Sequence, residues 1–209
     1  MLILTKRDLP RRFSVHSVYT AEDSIRPDGF YFNGEIHDFW EIVCIIDGSA
    51  SITADERTFI LANGQITFHK PMEFHRIWSD KAFHILLLTF YAEGEGMEFF
   101  NNKVFNLEPE QIIQLHSIVK KTIVAINNSE KGEVDHTLTH IVAAEIELFL
   151  LNLISNNQDN VGLLMPKSSE SYKKIVQTME NHIGKNLSQQ ELAYLCNMSV
   201  SNLKKTFKR

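Results

Sequence analysis

The chain has 209 residues, 44% hydrophobic and 22% charged, which is apolar enough for a real core and too apolar for a disordered chain. Its formal charge of −5 is unevenly spread, with 13 Lys and Arg against 23 Asp and Glu in residues 1–166, but 8 against 3 in residues 167–209. An acidic body joined to a basic tail is the balance expected when only the tail meets nucleic acid.

The N-terminal run MLILTKRDLPRRF reaches charge after at most four apolar residues, far short of a signal segment or a membrane span. A cytoplasmic protein with no membrane partner is expected. From Phe13 to Tyr91 the text consists of short strands: Phe13–Tyr19, Glu41–Ile46, Ser49–Thr53, Arg57–Leu61, Gln65–His69, Phe74–Trp78 and Phe83–Tyr91. Asp47-Gly48 and Asn63-Gly64 mark tight turns, and Pro71 marks a further break. Strands at this close spacing predict a sandwich or small barrel. The stretch HDFWEIVCIIDGSASI, followed by ANGQITFHKPMEFH with its Gly64 and its Pro71-x-x-x-His75 element, resembles the cupin-like arm of AraC-type transcription regulators. That resemblance implies a ligand-sensing jelly roll.

His37, Glu41 and His75 are the residues of this region suited to chemistry. Cupins that hold metals draw ligands from such elements, and two histidines with one glutamate can form a facial metal set with an open position. The same trio can instead hydrogen-bond the hydroxyls of a sugar, or cap strand ends. Phe39 stands two residues beyond His37, where metal-holding cupins carry a second histidine. His37, Glu41, His75 and Trp78 are therefore assigned to ligand contact, with no metal and no cofactor expected. His16, Arg76 and His84 are weaker candidates.

Two long helices are predicted next. Glu108–Asn127 carries Ile112, Leu115, Val119 and Ile126 at helical spacing, and Val134–Ser155 carries Leu138, Ile141, Val142, Glu145, Phe149 and Leu153. The second is apolar nearly all round, adding Leu148, Leu150, Leu151 and Ile154, so it must cover one face with the barrel and another with something else. The family resemblance implies that the second cover is the same helix of another copy, a homodimer through Val134–Ile154. Residues 155–169, polar with Gly162 and Pro166, read as a linker whose apolar patch Val161–Met165 can dock on a neighbour.

The basic tail holds three short helices. SYKKIVQTMENHIGKN places Tyr172, Ile175, Val176, Met179 and Ile183 on one stripe, with Gly184 as its stop. Ser188 with Glu191 is a capping box opening a helix over Gln189–Cys196, Asn197 makes the turn, and Ser199 caps a last helix over Val200–Arg209. Leu192, Ala193 and Leu195 are read as the apolar side of one, Leu203 and Phe207 of the other. LSQQELAYLCNMSVSNLKKTFKR is similar to the first helix-turn-helix of AraC-type regulators. The resemblance implies base contacts from Ser201, Lys204 and Lys205 and phosphate contacts from Asn202, Lys208 and Arg209. Members carry two such units in tandem, so this chain is expected to be part of a longer regulator.

Cys44 and Cys196 lie in different predicted domains, which excludes a disulfide framework and implies a reducing compartment. The expectation is an α+β protein: a cupin-like antiparallel barrel over residues 1–107, a helical dimerisation pair over 108–154, a linker over 155–169 and a small all-α segment over 170–209. It is read as a regulator and not an enzyme, with DNA, a small-molecule effector such as a sugar and a second copy as partners. The rival reading is a metal-dependent cupin enzyme using His37, Glu41 and His75.

Overall fold

The computed structural model describes residues 8–157, 163–164, 170–182 and 184–206. Among the described residues ten strands appear in chain order: β1 (Ser14–Arg26), β2 (Phe30–Tyr31), β3 (Trp40–Asp47), β4 (Ser49–Ala54), β5 (Arg57–Ala62), β6 (Gln65–His69), β7 (His75–Ser79), β8 (Phe83–Glu93), β9 (Lys103–Asn106) and β10 (Leu163–Leu164). They form two antiparallel sheets, one in the order β1-β8-β3-β6-β9-β10 and the other β2-β7-β4-β5. Turns at Gly48 and at Asn63-Gly64 join β3 to β4 and β5 to β6, as expected. β1 continues to Arg26, well past its expected end at Tyr19, because β8 offers pairing partners along that whole length. Strands β2, β9 and β10 are too short to show periodicity.

Strand β3 explains the layering. Its first six residues are all buried, since the larger sheet is covered on both faces. Alternation sends Trp40, Ile42 and Cys44 into one apolar cluster and Val43 and Ile45 into another. The second cluster fills the space between the sheets, with Ile52, Leu61, Phe83 and Ile85. The first lies on the far side of the larger sheet and takes in helices α1 (Pro109–Glu130) and α2 (His136–Asn156) through Leu115, Ile118, Val142, Ile146 and Phe149. Sheet, sheet and helix pair thus form three layers.

Helix α1 opens with Pro109 in its first turn and the Gln111 side-chain oxygen accepting from the Glu108 N–H at 2.9 Å. At the start of α2 the Asp135 carboxylate accepts from the N–H groups of Thr137 and Leu138. By length and composition α2 could cross a membrane, yet its Val142, Ile146, Phe149, Leu150 and Leu153 are buried inside the protein. Its other face exposes Ile141, Leu148 and Leu151, at 42%, 53% and 40%.

The remaining helices, α3 (Glu170–Glu180), α4 (Gln189–Leu195) and α5 (Val200–Thr206), close on a small core of Ile175, Ala193, Cys196 and Leu203. The Ser188–Glu191 capping box is present, and Asn197 takes φ 54° between α4 and α5. The Ser199 hydroxyl accepts from the Asn202 N–H at 3.1 Å. Leu195 is 41% exposed and does not join Ala193, because residues two apart on a helix point about 200° away from each other; Cys196 takes the inward place instead. Ile183, Phe207, Lys208 and Arg209 lie outside the described residues, as do Val161, Gly162, Met165 and Pro166 of the expected linker. Within that linker Leu163 and Leu164 add a two-residue strand to β9, whose edge backbone groups were open to pairing.

Phe149 is fully buried between helix and sheet. Phe149→Ala should cost about 3 to 5 kcal/mol in urea unfolding, and Ile60→Ala, whose side chain is exposed on β5, less than about 1 kcal/mol. Equal losses would show that α2 is not part of the same core.

Candidate ligand-binding site

Glu41 has the same parity on β3 as Val43 and Ile45, so alternation turns a carboxylate into the apolar space between the sheets. Register sets His69 of β6 and Thr89 of β8 directly beside it. His75 comes from the opposite sheet as the first residue of β7. It is paired through its backbone with Glu35, in the loop ahead of β3, the two exchanging N–H···O bonds of 3.0 and 3.1 Å. Gly34, at φ 100°, makes that approach possible, since a Cβ there would sit 2.7 Å from the His75 carbonyl oxygen. The result is a cluster of Glu35, His37, Glu41 and His75 whose ligand atoms all lie within 4.8 Å of one another.

A cavity of about 250 Å³ adjoins this cluster. Glu35, Glu41, His69 and His75 contribute to its wall, with Arg26, Arg76 and Glu22 as further polar groups and Val43, Ile52, Ile77, Ile85 and Leu87 as apolar ones. Of the four residues assigned to ligand contact, Glu41 and His75 line the cavity, and His37 packs edge-on against His75 with ring centroids 4.8 Å apart. Trp78 does not belong there. It is absent from the cavity wall and packs near Tyr31 and beneath the Arg76 guanidinium. His16 sits beside Glu93 and Tyr91, largely exposed. His84 is engaged elsewhere, donating with His116 of α1 to the Asp23 carboxylate at 2.7 and 2.6 Å.

The groups behind these residues carry no local signal in the sequence. His69 stacks on His75, with centroids 4.3 Å apart, and its Nδ1 donates to Glu73 at 3.0 Å. Glu73 also accepts from the buried Arg57, whose guanidinium reaches Asp55 at 3.6 Å. Lys70 lies 3.6 Å from Asp55 and 3.5 Å from Glu73. Asp55, at the turn between β4 and β5, accepts from the Tyr172 hydroxyl of α3 at 2.7 Å. An unbroken polar chain therefore runs from the cavity wall to the first helix of the C-terminal trio.

Burial acts on each of these groups. It raises the Glu73 carboxyl, but the His69 hydrogen bond and the charges of His69, Lys70 and Arg57 outweigh it and hold the group at about 2. Burial, joined by the charge of His69, lowers the His75 imidazole to about 4. Glu41 also falls below the usual range, because the nearby His37 imidazole and the charges of His75 and His69 outweigh its burial. Asp55 moves the other way, raised chiefly by burial, and Tyr172 is raised by burial and by the Asp55 carboxylate.

Residues 24–143, more than half of the chain, match the family model described as the AraC-like ligand binding domain. No curated protein sequence matches. Among solved structures the chain is similar to unsaturated fatty acid bound ToxT from Vibrio cholerae strain SCE256, at 16% identity over 97% of this chain and 75% of that one, with a TM-score of 0.43. It is also similar to an apo variant of that protein, at 15% identity over 97% and 76%, TM-score 0.47. A predicted oxalate decarboxylase from Thermotoga maritima is similar over 35% of this chain and 67% of that one, at 17% identity and TM-score 0.34.

His75 and Glu73 both make stability fall with pH, while His37, raised against its burial by the Glu41 carboxylate, opposes them only above about its ordinary 6.5. His75 binds its proton less readily when folded, about 4 against an ordinary 6.5, so the stability it contributes is complete above 6.5 and lost as pH falls toward 4. Glu73, at about 2 against 4.5, contributes stability above 4.5 that is lost as pH falls toward 2. Urea midpoints at pH 7, 5.5 and 4.5 should therefore decline in that order. A midpoint that stays level from pH 7 to 4.5 would show that His75 is not held neutral by the fold.

Proposed function

Since this chain belongs to the AraC-like ligand-binding family, we propose that it is the sensing part of a ligand-responsive, sequence-specific transcription regulator of the cytoplasm, with no catalytic role. The observation that carries the reading is the polar chain from His69 on the cavity wall, where it stacks on His75, through Glu73, Arg57 and Asp55 to Tyr172. A solute that contacts His75 or Glu41 alters the partners of a buried network, and that network ends on the helix leading into α4 and α5. Buried ionic groups tolerate few arrangements, so a change at one end biases the other.

In this reading the effector is small, because about 250 Å³ lies below the usual size of drug-sized pockets. A carbohydrate or another polar solute suits a wall of carboxylate, imidazole and guanidinium groups beside aliphatic ones. Residues 1–107 serve as the sensing domain, 108–154 as the dimerisation element, 155–169 as the linker and 170–209 as a helix-turn-helix segment. Ser201, Lys204 and Lys205 are exposed on α5 and are the proposed base contacts. Asn202, with Lys208 and Arg209, is proposed to hold phosphates.

Dimerisation is supported by α2. Ile141, Ala144, Leu148 and Leu151 recur at intervals of three and four residues and are all exposed, which makes a continuous apolar stripe opposite the buried face. A second copy of the same helix covers such a stripe by two-fold symmetry.

Leu148→Glu or Leu151→Glu should give monomers in sedimentation without loss of helical signal, whereas a wild-type chain that is monomeric at high micromolar concentration counts against the dimer. Duplexes selected from a random library should share a sequence. Lys205→Ala should cost about 1 to 3 kcal/mol on that sequence and relax preference at particular base pairs, while Asn202→Ala should weaken all duplexes alike. Selection that recovers no common sequence would remove the regulator reading. Tyr172→Phe should leave the selected site recognisable but change how strongly it is bound, because it cuts the polar chain and leaves α5 intact.

A further inference from the structure

We propose that Glu35, His37, Glu41 and His75 bind a divalent first-row transition-metal ion at the wall of the cavity. This deepens the reading of the cavity as an effector site, and rests on that reading only for the regulatory role of the ion.

The tautomers carry the inference. His37 Nδ1 lies 2.9 Å from the Phe39 carbonyl oxygen, and His75 Nδ1 lies 3.0 Å from the Glu73 carbonyl oxygen. A carbonyl only accepts, so both rings hold their hydrogen on Nδ1, and in the neutral ring each Nε2 presents a lone pair. Both Nε2 atoms are buried with no hydrogen-bond partner. Yet they face carboxylates: His75 Nε2 is 3.3 Å from Glu41 Oε1 and 3.6 Å from Glu35 Oε1, and His37 Nε2 is 3.8 Å from Glu41 Oε2. Lone pairs set against carboxylate oxygens in a buried site repel unless positive charge lies between them, either a proton on Nε2 or one metal ion shared by the whole cluster. Donors that share one ion at about 2.0 to 2.2 Å stand about 3 to 4 Å from one another, which is the spacing of these pairs.

The rings are also clamped as ligands need to be. Phe39 stacks on His37 with centroids 3.9 Å apart, and Tyr19 stacks on Phe39 at 4.1 Å. His69, anchored by Glu73, backs His75 from its own face. An imidazole that donates its far N–H to a backbone carbonyl is the usual support of a metal ligand. Phe39 thus supplies the carbonyl and the stacking surface for His37, while Glu35 brings a donor from the loop bridged to His75. Two imidazoles with two carboxylates suit zinc, iron or manganese, and do not suit magnesium or calcium, which prefer all-oxygen shells.

The test is calorimetry on the chelator-stripped chain, titrated with zinc, manganese and magnesium in turn. Zinc should bind at one ion per chain, and magnesium should not bind. His37→Ala and His75→Ala should each weaken zinc by tenfold or more, an effect of about 1.4 kcal/mol or greater. Glu35→Gln, whose carboxylate is half exposed and whose loss does not threaten folding, should weaken it too. Cobalt in place of zinc should show visible absorption that His75→Ala abolishes. His136 and His140 sit one turn apart on α2 and can capture zinc at the surface, so the double change His136→Ala with His140→Ala should leave the tight site intact. No binding, loss of binding in that double variant, or full affinity in both His37→Ala and His75→Ala would overturn the proposal. Any of these results would leave the dimerisation and duplex-selection outcomes, and so the regulator reading, untouched.

Discussion

Arg57 and Glu73 meet with side chains about 3% exposed, so neither charge has water to stabilise it. Each charge depends on the other and on its remaining neighbours: Arg57 also donates to the Ala54 carbonyl and to Asn102, and Glu73 accepts from His69. Removing one member of such a set leaves an uncompensated buried charge, which is far more costly than the pair itself is favourable. The turn between β4 and β5, the end of β6 and the start of β7 are held together by this one set of contacts. His75 inherits its position from it, and so does the stacking of His69.

A second requirement comes from the larger sheet. With apolar layers on both faces, β3, β6 and β8 can be hydrophobic throughout, and a polar residue among them needs a partner inside the protein. Glu41, His69, Thr67 and Thr89 are such exceptions, all buried and all on the face turned toward the smaller sheet. The cavity is found there, on the face where polar groups interrupt the packing. The opposite face, against α1 and α2, is filled by Trp40, Phe68, Leu88 and Phe90 with helix side chains. The cavity and the helix packing thus occupy opposite sides of the same strands.

The helices carry the protein's other polarity. α2 has one face in the core and one unmet apolar stripe, and Lys121 of α1 pairs with Glu145 beside it. At the far end Tyr172 leaves the small core of Ile175, Ala193 and Leu203 to reach Asp55. A tyrosine can serve both ends, with its ring buried and its hydroxyl in a polar network.

The strands with clear alternation or long apolar runs were legible in the sequence, as were the helices at 3.6-residue spacing, the Ser188–Glu191 capping box and the turn at Asn197. These are local signals, set by side-chain pattern and backbone preference within a few residues. His37, Glu41 and His75 were candidates through the resemblance of their segments to cupin elements. Only the tertiary structure decided that Trp78 lies outside the cavity wall and that Leu195 faces solvent, because each depends on which side of its element is covered. Glu35, His69, Arg57 and Asp55 joined the site through strand register, and Tyr172 joined across 117 residues of sequence. Sequence pattern states what each segment prefers by itself. Which polar groups meet is set by pairing between segments far apart in the chain, and no local spacing records that.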